Sequence, residues 1–508
     1  MTAPSRDIMV ATDQSGTRGR RIGAMLAVLL AACPAFCAAI GPCEWAYIRL
    51  DYTRDEKVRQ LQRFCDNVHE LARRMSGDEV MLEFFDVSRT YHSRLRHGSV
   101  PQTFTRKMTE FQKAVEGHYF RNYLCFHDLL LVDTSGDILY SLRREADHRG
   151  NLFAGRLART TLAQRLRQCP QQEVFVPFHY YGVSGKPAAF FIEPVRRDGR
   201  HTGWFVLQCA VNKINSLFAG VEQLGQTGEA FLVNRDGYLL TESSFEGDAT
   251  ILKKHLDDRN VQAKFQQQRG RMAVTDYRGF AVLTSFEVFD FLDTRWLVVA
   301  KVDEAQVVTE HFKQHRTYYA DRIARHLAEL APLPSGPAVP ALEREIIRVD
   351  MDEFVRANHA ERLETLGVST CTAIIATYPG KFGYLAHVSP YDRLYGGDAT
   401  NLLGHVLQKI KTFDIYKYER RRVRFIVVAR HLDSMTRIVD KLVDEGFLLS
   451  QISMLYHGGA DCANVAYDYC DDRIDVEWLF EAAPQRRCVH HADDAQNLGT
   501  IVKQYMDL

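Results

Sequence analysis

The 508-residue chain lacks a net charge, because 64 lysine and arginine residues balance 64 aspartate and glutamate residues. No domain is strongly basic, so the composition argues against a nucleic-acid-binding protein. The eleven cysteines include no CxxC pair, and no metal site, thioredoxin-like motif or cofactor is predicted. What is present is an ordinary folded composition, 46% hydrophobic and 25% charged, in a chain long enough for about two to four domains.

A short basic run at 419–424 (ERRRVR) interrupts this even distribution of charge. The run leads directly into an apolar segment that has the pattern of a strand. We therefore predict a solvated sheet edge at this position rather than a contact with nucleic acid.

The N-terminal segment 22–43 contains no charged residue and follows three arginines within 18–21. A basic flank before an apolar run predicts that the following chain is exported. Three interpretations are open: a membrane-spanning helix, a signal peptide cleaved near Ala39, or a lipoprotein signal, since 30–33 (LAAC) resembles the bacterial lipobox with Cys33 as its lipidated residue. A buried N-terminal helix is the remaining alternative.

Later apolar runs are too short to cross a membrane. The run 296–300 (WLVVA), for example, has the length of a strand. We therefore expect a protein that is anchored or lipidated at the cell membrane, with all of its folded domains on the extracytoplasmic, periplasmic side.

The middle of the chain contains a repeated hairpin pattern after a long helical stretch. Residues 44–120 are predicted to be helical, since apolar residues recur every three to four positions. A strand, a turn and a second strand are predicted at 128–141, and the same design returns at 229–241. The two hairpins constitute an internal repeat.

The long helix, the repeat and the segments 180–190 (YYGVSGKPAAF) and 225–233 (GQTGEAFLV) together resemble the double Cache domain. That family contains extracytoplasmic ligand sensors of bacterial chemoreceptors, histidine kinases and cyclases. The resemblance covers 48–312, and it implies two PAS-like modules of which the first binds a small molecule.

Four residues of the first module are candidate ligand-binding residues by position: Tyr140, Asp147, His179 and Tyr181. Aromatic residues on such strands also commonly form the core, which is the alternative interpretation. The arginine–tryptophan–tyrosine cluster of amino-acid-binding members is not found, so an amino-acid ligand is not expected.

A proline-rich spacer at 330–340 (LAPLPSGPAVP) follows a predicted charged helix at 303–329. Beyond the spacer, strands and helices alternate, which indicates a layered α/β domain. The predicted strands are 372–378, 382–387, 423–429, 452–456 and 473–478, and the predicted helices are 398–410 and 432–445.

Cys371 opens one of these predicted strands, and His387 closes the next strand across a turn. This layout can bring a thiol and an imidazole together, which is the basic requirement of a cysteine nucleophile. A cysteine at the start of a strand is also a common small core residue, so spacing alone leaves both interpretations open.

Four segments of this region resemble the chemoreceptor glutamine deamidase (CheD) family: 365–371 (TLGVSTC), 383–387 (GYLAH), 395–399 (YGGDA) and 457–460 (HGGA). The resemblance covers 345–480. The family has Gly-Ser before its cysteine where this chain has Ser369-Thr370, and 388–390 also departs from the family pattern.

The resemblance implies that Cys371, His387 and Thr365 are catalytic. The thiolate would attack the carboxamide of a glutamine in a protein substrate, and the imidazole would lower the thiol pKa and protonate the leaving ammonia. The threonine would orient the imidazole or help to shape the site. Known relatives act on cytoplasmic receptors, whereas this domain is predicted to be exported. The target is therefore extracytoplasmic, or the fold is reused for binding or for another hydrolysis.

The predicted fold is α+β: a long N-terminal helix with two PAS-like Cache modules, followed by a layered α/β CheD-like domain. We divide the chain into a signal or anchor segment (1–43), the double Cache-like domain (44–312), a helix and linker (313–344) and the CheD-like domain (345–508). A non-enzymatic chemotaxis or signalling sensor, whose C-terminal domain only binds a partner, is the alternative to a sensor fused to an amidohydrolase.

Overall fold

The computed structural model describes most of the chain after residue 40. The described ranges are 41–98, 100–120, 126–209, 211–247, 249–329, 344–392, 401–412, 419–481, 488–490 and 494–506. Most of the predicted signal segment, with Cys33, lies outside these ranges, as do the spacer 330–340 and the segment 395–399. Within the described ranges, no helix is both long and apolar enough to cross a membrane.

Three helices replace the continuous helix predicted at 44–120. They are α1 (Pro42–Gly77), α2 (Glu79–Arg96) and α3 (Gln102–Val115). The break between the first two lies at Asp78, whose extended backbone ends α1 and whose side chain caps α2 by accepting a hydrogen bond from Val80 N at 2.8 Å. Pro101 precedes α3, where its missing N–H costs no helical hydrogen bond.

The first module is a five-stranded antiparallel sheet in the order β2-β1-β5-β4-β3. Its strands are β1 (Phe126–Asp133), β2 (Ile138–Ser141), β3 (Val174–Tyr181), β4 (Lys186–Arg197) and β5 (Arg200–Cys209), and helix α4 (Thr161–Gln168) precedes β3. Residues of α1–α3 pack on one face of the sheet, and α4 covers the other face. The predicted hairpin 128–141 is confirmed.

The second module is a four-stranded sheet in the order β6-β9-β8-β7. Its elements are α5 (Val211–Phe218), β6 (Glu229–Val233), α6 (Asp258–Gln267), β7 (Arg269–Thr275), β8 (Ala281–Phe291) and β9 (Thr294–Asp303). The second strand predicted at 238–241 is reduced to isolated bridges, because Leu239 N donates to Lys254 O of a neighbouring loop. The repeat is therefore less regular than predicted.

The C-terminal region has three layers, two sheets and a layer of helices. One sheet has the order β10-β12-β17-β18-β19 and the other β11-β14-β13-β15-β16-β20. The strands are β10 (Glu345–Arg348), β11 (Glu353–Arg356), β12 (Glu361–Val368), β13 (Thr372–Tyr378), β14 (Phe382–Val388), β15 (Arg424–Ala429), β16 (Ile452–Tyr456), β17 (Cys462–Asp468), β18 (Arg473–Leu479), β19 (Cys488–His490) and β20 (Gln496–Asn497).

In the described part of this region, five helices accompany these sheets: α7 (Glu304–Gln314), α8 (Arg316–Glu329), α9 (Leu402–Thr412), α10 (Leu432–Asp444) and α11 (Leu498–Gln504). One apolar core lies between the helices and the six-stranded sheet, and a second lies between the two sheets. The predicted helix at 303–329 is two helices, and Phe312 and Tyr319 are buried in the helical core. These helices pack with the C-terminal layers and do not form a free spacer.

Candidate functional site

The candidate imidazole and hydroxyl meet between the two C-terminal sheets, and the candidate thiol lies in the apolar core between the same sheets. His387 lies on β14 and is the cross-strand partner of Ala373 on β13. Cys371 directly precedes β13 and belongs to the apolar core between the two sheets, on the side of the six-stranded sheet that Ala373 also faces. Thr365 comes from β12 of the opposite sheet.

A bulge in β12 marks the segment between Thr365 and Val368. The pairing of β12 with β17 shifts its register between these two residues. Gly367 has a φ of +69°, a conformation that favours glycine, and its N–H donates to Asn464 Oδ1 at 3.2 Å. Thr365 stays fully buried before the bulge, while Leu366 is exposed.

Thr365 and His387 form a hydrogen bond between the sheets. Oγ1 of the threonine and Nδ1 of the histidine are 2.7 Å apart. The other ring nitrogen, Nε2, is buried and has no hydrogen-bond partner among the described residues. Burial lowers the pKa of His387, although Asp352 and Asp350 oppose this shift. The imidazole is therefore neutral near pH 7. Its Nδ1 is held by Thr365, and its Nε2 remains available for another hydrogen bond.

Cys371 is buried at rest, with an exposed fraction of 7%. Its thiol contacts the sulfur of Met351, with 3.8 Å between Sγ and Sδ, and the side chain of Met351 is itself exposed. Burial raises the pKa of the Cys371 thiol, and the smaller effect of a hydrogen bond with Thr370 lowers it. The resting pair is thus a neutral thiol and a neutral imidazole, which differs from the histidine-lowered thiol pKa that we predicted.

Three hydrogen bonds hold the loop that carries the thiol. Ser369 Oγ donates to Asp461 O at 3.0 Å, and Arg430 Nη1 reaches both Ser369 Oγ at 3.3 Å and the same carbonyl at 3.0 Å. Ser434 Oγ donates to Thr370 O at 3.1 Å. The residues on both sides of the loop thus fix Ser369 and Thr370.

Asp352 anchors the histidine strand from the turn that precedes β11. Its N–H donates to His387 O at 2.8 Å, and its Oδ1 accepts from Ser389 N at 3.1 Å. Its φ of +60° is uncommon for a residue other than glycine. Such a conformation persists only where surrounding contacts hold it, as these two hydrogen bonds do.

His457 of the fourth resembling segment lies at the end of β16. Its ring packs against Trp478 and Phe480, with centroid distances of 5.6 and 5.0 Å. Burial lowers its pKa, so this histidine is held neutral in an aromatic environment. This packing gives it a structural role.

In the first module, three of the four candidate ligand residues lie together. Tyr181 donates its hydroxyl to Asp147 Oδ2 at 2.9 Å, and the ring of His179 is 6.2 Å from that of Tyr181. Asp147 Oδ1 and His179 Nε2 are buried and have no hydrogen-bond partner among the described residues. Burial raises the pKa of Asp147 and lowers that of His179.

Tyr140 lies apart from this group. It pairs with Leu131 and packs edge-on against Phe84 of α2 at 5.0 Å, on the helix-covered face of the sheet. Tyr181 belongs to the core of the opposite face. Tyr140 and Tyr181 therefore lie on opposite faces of the sheet.

A buried chain of charges in the second module was missed by sequence reasoning. Lys301 Nζ is 3.0 Å from Glu229 and 2.6 Å from Asp276, and both residues of the first pair are about 1% exposed. The chain continues to Arg278 and Asp303 and ends on Arg421 of the basic run. The predicted solvated edge is corrected for Arg421, whose side chain is only 9% exposed. No sequence pattern signalled these pairs.

Metal ligation has no support in the part of the chain that the structure describes, where no group of three or more histidine, cysteine, aspartate and glutamate side chains could hold an ion. No protein-family model matches the chain, and no curated protein matches it.

Solved structures of extracellular sensory domains are similar to about half of the chain. They include an extracellular ligand binding receptor from Desulfohalobium retbaense DSM5692, with 13% identity over 50% of this chain and a TM-score of 0.33. The periplasmic sensory domain of the Campylobacter jejuni chemoreceptor Tlp1 has 14% identity, with 50% of this chain and 93% of that chain covered and a TM-score of 0.35.

A third is the ligand binding domain of the Pseudomonas aeruginosa PAO1 amino acid chemoreceptor PctB in complex with L-Gln, with 14% identity, 52% of this chain and 92% of that chain covered, and a TM-score of 0.33. The match to the Desulfohalobium receptor, in contrast, covers only 40% of the length of that receptor. Similarity at this level assigns neither a ligand nor an activity, which have to be inferred from this chain's own side chains.

Proposed function

We propose that the chain is an extracytoplasmic small-ligand sensor whose C-terminal domain hydrolyses the side-chain amide of glutamine through Cys371. The main observation that supports the proposed enzymatic activity is the 2.7 Å hydrogen bond between Thr365 on one sheet and His387 on the other. This contact leaves the unpartnered Nε2 on the face that Cys371 also occupies. A nucleophile, a base and a residue that orients the base are the parts such a reaction requires.

The proposed reaction begins with a neutral pair. Nδ1–H of His387 donates to Thr365 Oγ1, so Nε2 can accept the thiol proton while the sulfur of Cys371 bonds to the amide carbon. The C–N bond then breaks, and Nε2 returns the proton to the leaving ammonia. Water hydrolyses the thioester, which releases glutamate and restores the thiol.

The sensory half is supported by the pair Asp147–Tyr181 and by His179. The unpartnered Oδ1 of Asp147 and Nε2 of His179 leave buried hydrogen-bonding capacity on one face of the first module. A small polar molecule with a donor group for the carboxylate is the ligand class that satisfies both. We further propose that 22–43 anchors the chain, or that Cys33 is lipidated, and that the folded domains are periplasmic.

A partner-binding C-terminal domain without catalysis is the second candidate function. The burial of Cys371 and the raised pKa of its thiol favour it, because an inert core cysteine has both properties. Thiol reactivity separates the two candidates.

Alkylation of Cys371 by iodoacetamide is expected to be about tenfold slower in His387→Ala than in the wild type at pH 6, because the variant lacks the base. In the variant the rate follows the thiolate fraction, which rises about tenfold per pH unit below the thiol pKa. In the wild type, the alkylation rate assisted by the neutral imidazole changes little with pH. The difference between the two rates therefore narrows toward pH 8. Peptide mass spectrometry measures both rates.

The matched control for this experiment is His359→Ala. His359 Nδ1 is 3.5 Å from the sulfur of the exposed Cys470, so its loss affects another thiol of the same domain. Equal, slow alkylation of Cys371 in the wild type and in His387→Ala across pH 6 to 8 would favour the binding-only candidate.

A stabilising metabolite is expected in a thermal-shift screen of small polar compounds with the full chain. Ligand at a hundred times its Kd adds about 2.7 kcal/mol to the stability of the native state. Tyr181→Phe should remove most of this shift, since it deletes the hydroxyl that positions Asp147. Tyr180→Phe is the matched control, because Tyr180 is exposed. If only second-module substitutions removed the shift, the ligand site would be misplaced.

A further inference from the structure

Six buried charges alternate in sign where the second module meets the C-terminal layers. In order along the chain of ion pairs they are Glu229, Lys301, Asp276, Arg278, Asp303 and Arg421. Aromatic rings surround them. Lys301 Nζ lies 4.0 Å from the ring centroid of Tyr277, and Arg421 lies 4.6 Å from that of Phe280. The cluster is therefore shielded from water, and each charge depends on its neighbours.

The second module alone does not neutralise this cluster. It supplies three carboxylates and two cations, which leaves one negative charge, and Arg421 supplies the missing positive charge. Asp303 is completely buried, so its carboxylate depends on the arginines beside it. The contact between the C-terminal domain and the second module therefore also completes the charge balance of the cluster.

Arg421 is tied to a central strand of the six-stranded sheet. It lies in the short 3-10 turn Glu419–Arg422, immediately before β15. Gln451 Nε2 fixes this turn by donating to Arg420 O at 2.8 Å and to Val423 O at 2.9 Å. Strand β15 pairs with β13 on one side and with β16 on the other.

The other end of β15 reaches the candidate catalytic loop. Six residues of strand span about 20 Å and end at Ala429. The next residue, Arg430, bonds Ser369 Oγ and Asp461 O, and Ser369 is two residues before Cys371. One strand therefore connects a side chain clamped in the sensor with a side chain that positions the thiol loop.

We propose that β15 couples the sensor to the candidate active site, with Arg421 as the contact to the second module and Arg430 as a positioning residue for the Cys371 loop. This inference rests on the proposed function, since it assigns the regulation of that site. A change in the second module that shifts Asp303 acts on Arg421, and the paired strand transmits the shift to Arg430. Such coupling is a free energy shared by the Arg421 contact and the Cys371 loop, so a change at either site should be measurable at the other.

The test measures alkylation of Cys371 in the full chain. Arg421→Gln should raise the alkylation rate by about fivefold or more, because loss of the Arg421–Asp303 ion pair loosens the loop that carries the thiol. Arg422→Gln is the matched control: it removes the same charge from an exposed neighbour and should leave the rate unchanged. Alkylation of the exposed Cys470 should be the same in all variants, and the buried Cys65 should stay unlabelled, which reports intact folding.

Coupling through one strand also predicts non-additivity. Arg430→Gln should raise the Cys371 rate by itself, and adding Arg421→Gln to it should produce little further increase. If Arg421→Gln fails to fold, Arg421→Lys keeps the charge but loses the planar fork, and the same increase is expected from it. A Cys371 rate within twofold of the wild type in the folded Arg421 variant would overturn the proposal.

The outcomes for coupling and for the enzymatic function are separate. A Cys371 rate that responds to Arg421 in a chain that releases no ammonia from glutamine peptides would retain the coupling and reject the deamidase. Ammonia release together with an Arg421-independent Cys371 rate would retain the deamidase and reject the coupling.

Discussion

Lys301→Met is expected to lower the free energy of unfolding by about 3–5 kcal/mol, the cost of leaving buried charges without their partner. Lys301 is the cation between Glu229 and Asp276, and it is 1% exposed. Burial would raise the pKa of Glu229, but Lys301 outweighs this effect together with hydrogen bonds from Ser243 and Tyr277, so the pKa lies below its ordinary value. Removal of the lysine leaves Glu229, which is 1% exposed, without the cation that faces it, and takes one of its two cations from Asp276.

Urea unfolding followed by tryptophan fluorescence measures this loss, and Lys254→Met is the matched control. Lys254 pairs with Glu246 at 2.6 Å, but both side chains are about a third exposed. Its replacement should cost less than about 1 kcal/mol. A loss from Lys301→Met no larger than that of the control would mean that water reaches the cluster.

The pH dependence of this loss has a definite sign. The pKa values of Glu229 and Asp276 are lowered in the folded chain, so their contribution to stability is present above their unfolded pKa values and is lost as the pH falls. The variant lacks this contribution. The difference between wild type and Lys301→Met should therefore be largest near neutral pH and should narrow in acid.

Local pattern was sufficient for the buried strands of the C-terminal region. The predicted strands 372–378 and 452–456 coincide with β13 and β16. Both segments are short apolar runs bounded by turn residues, which is the pattern that a buried strand has in a sequence. The helix predicted at 432–445 ends one residue earlier, at Asp444.

Such local patterns could not predict the tertiary contacts. The strand that holds Thr365 was not predicted, because β12 exposes Leu366 and contains a bulge. The face of Tyr140 could not be predicted either, since alternation fixes which residues share a face but not which face binds a ligand. Arg421 resembled a solvated residue by composition, and only the fold shows its partner, Asp303.

Among enzymatic tests, Cys371→Ala is expected to have the largest effect, which is complete loss of ammonia release from glutamine-containing peptides. In the proposed reaction the sulfur is the atom that bonds to the amide carbon, and alanine has no substitute for it. His387→Ala should reduce the rate by about 10²–10⁴-fold, the usual contribution of a positioned acid and base. Thr365→Val should cost less, because it removes only the hydroxyl that orients Nδ1.

Because the proposed reaction uses the thiol and the imidazole as one unit, the double variant Cys371→Ala/His387→Ala should be no worse than Cys371→Ala alone. Cys470→Ala is the matched control, since Cys470 also lies near a histidine ring but is exposed and far along the chain from Thr365. It should retain full activity. Ammonia release that survives Cys371→Ala but not Cys470→Ala would transfer the catalytic role to the exposed pair. Release that survives both would exclude a cysteine nucleophile at either place and leave partner binding as the function of the C-terminal domain.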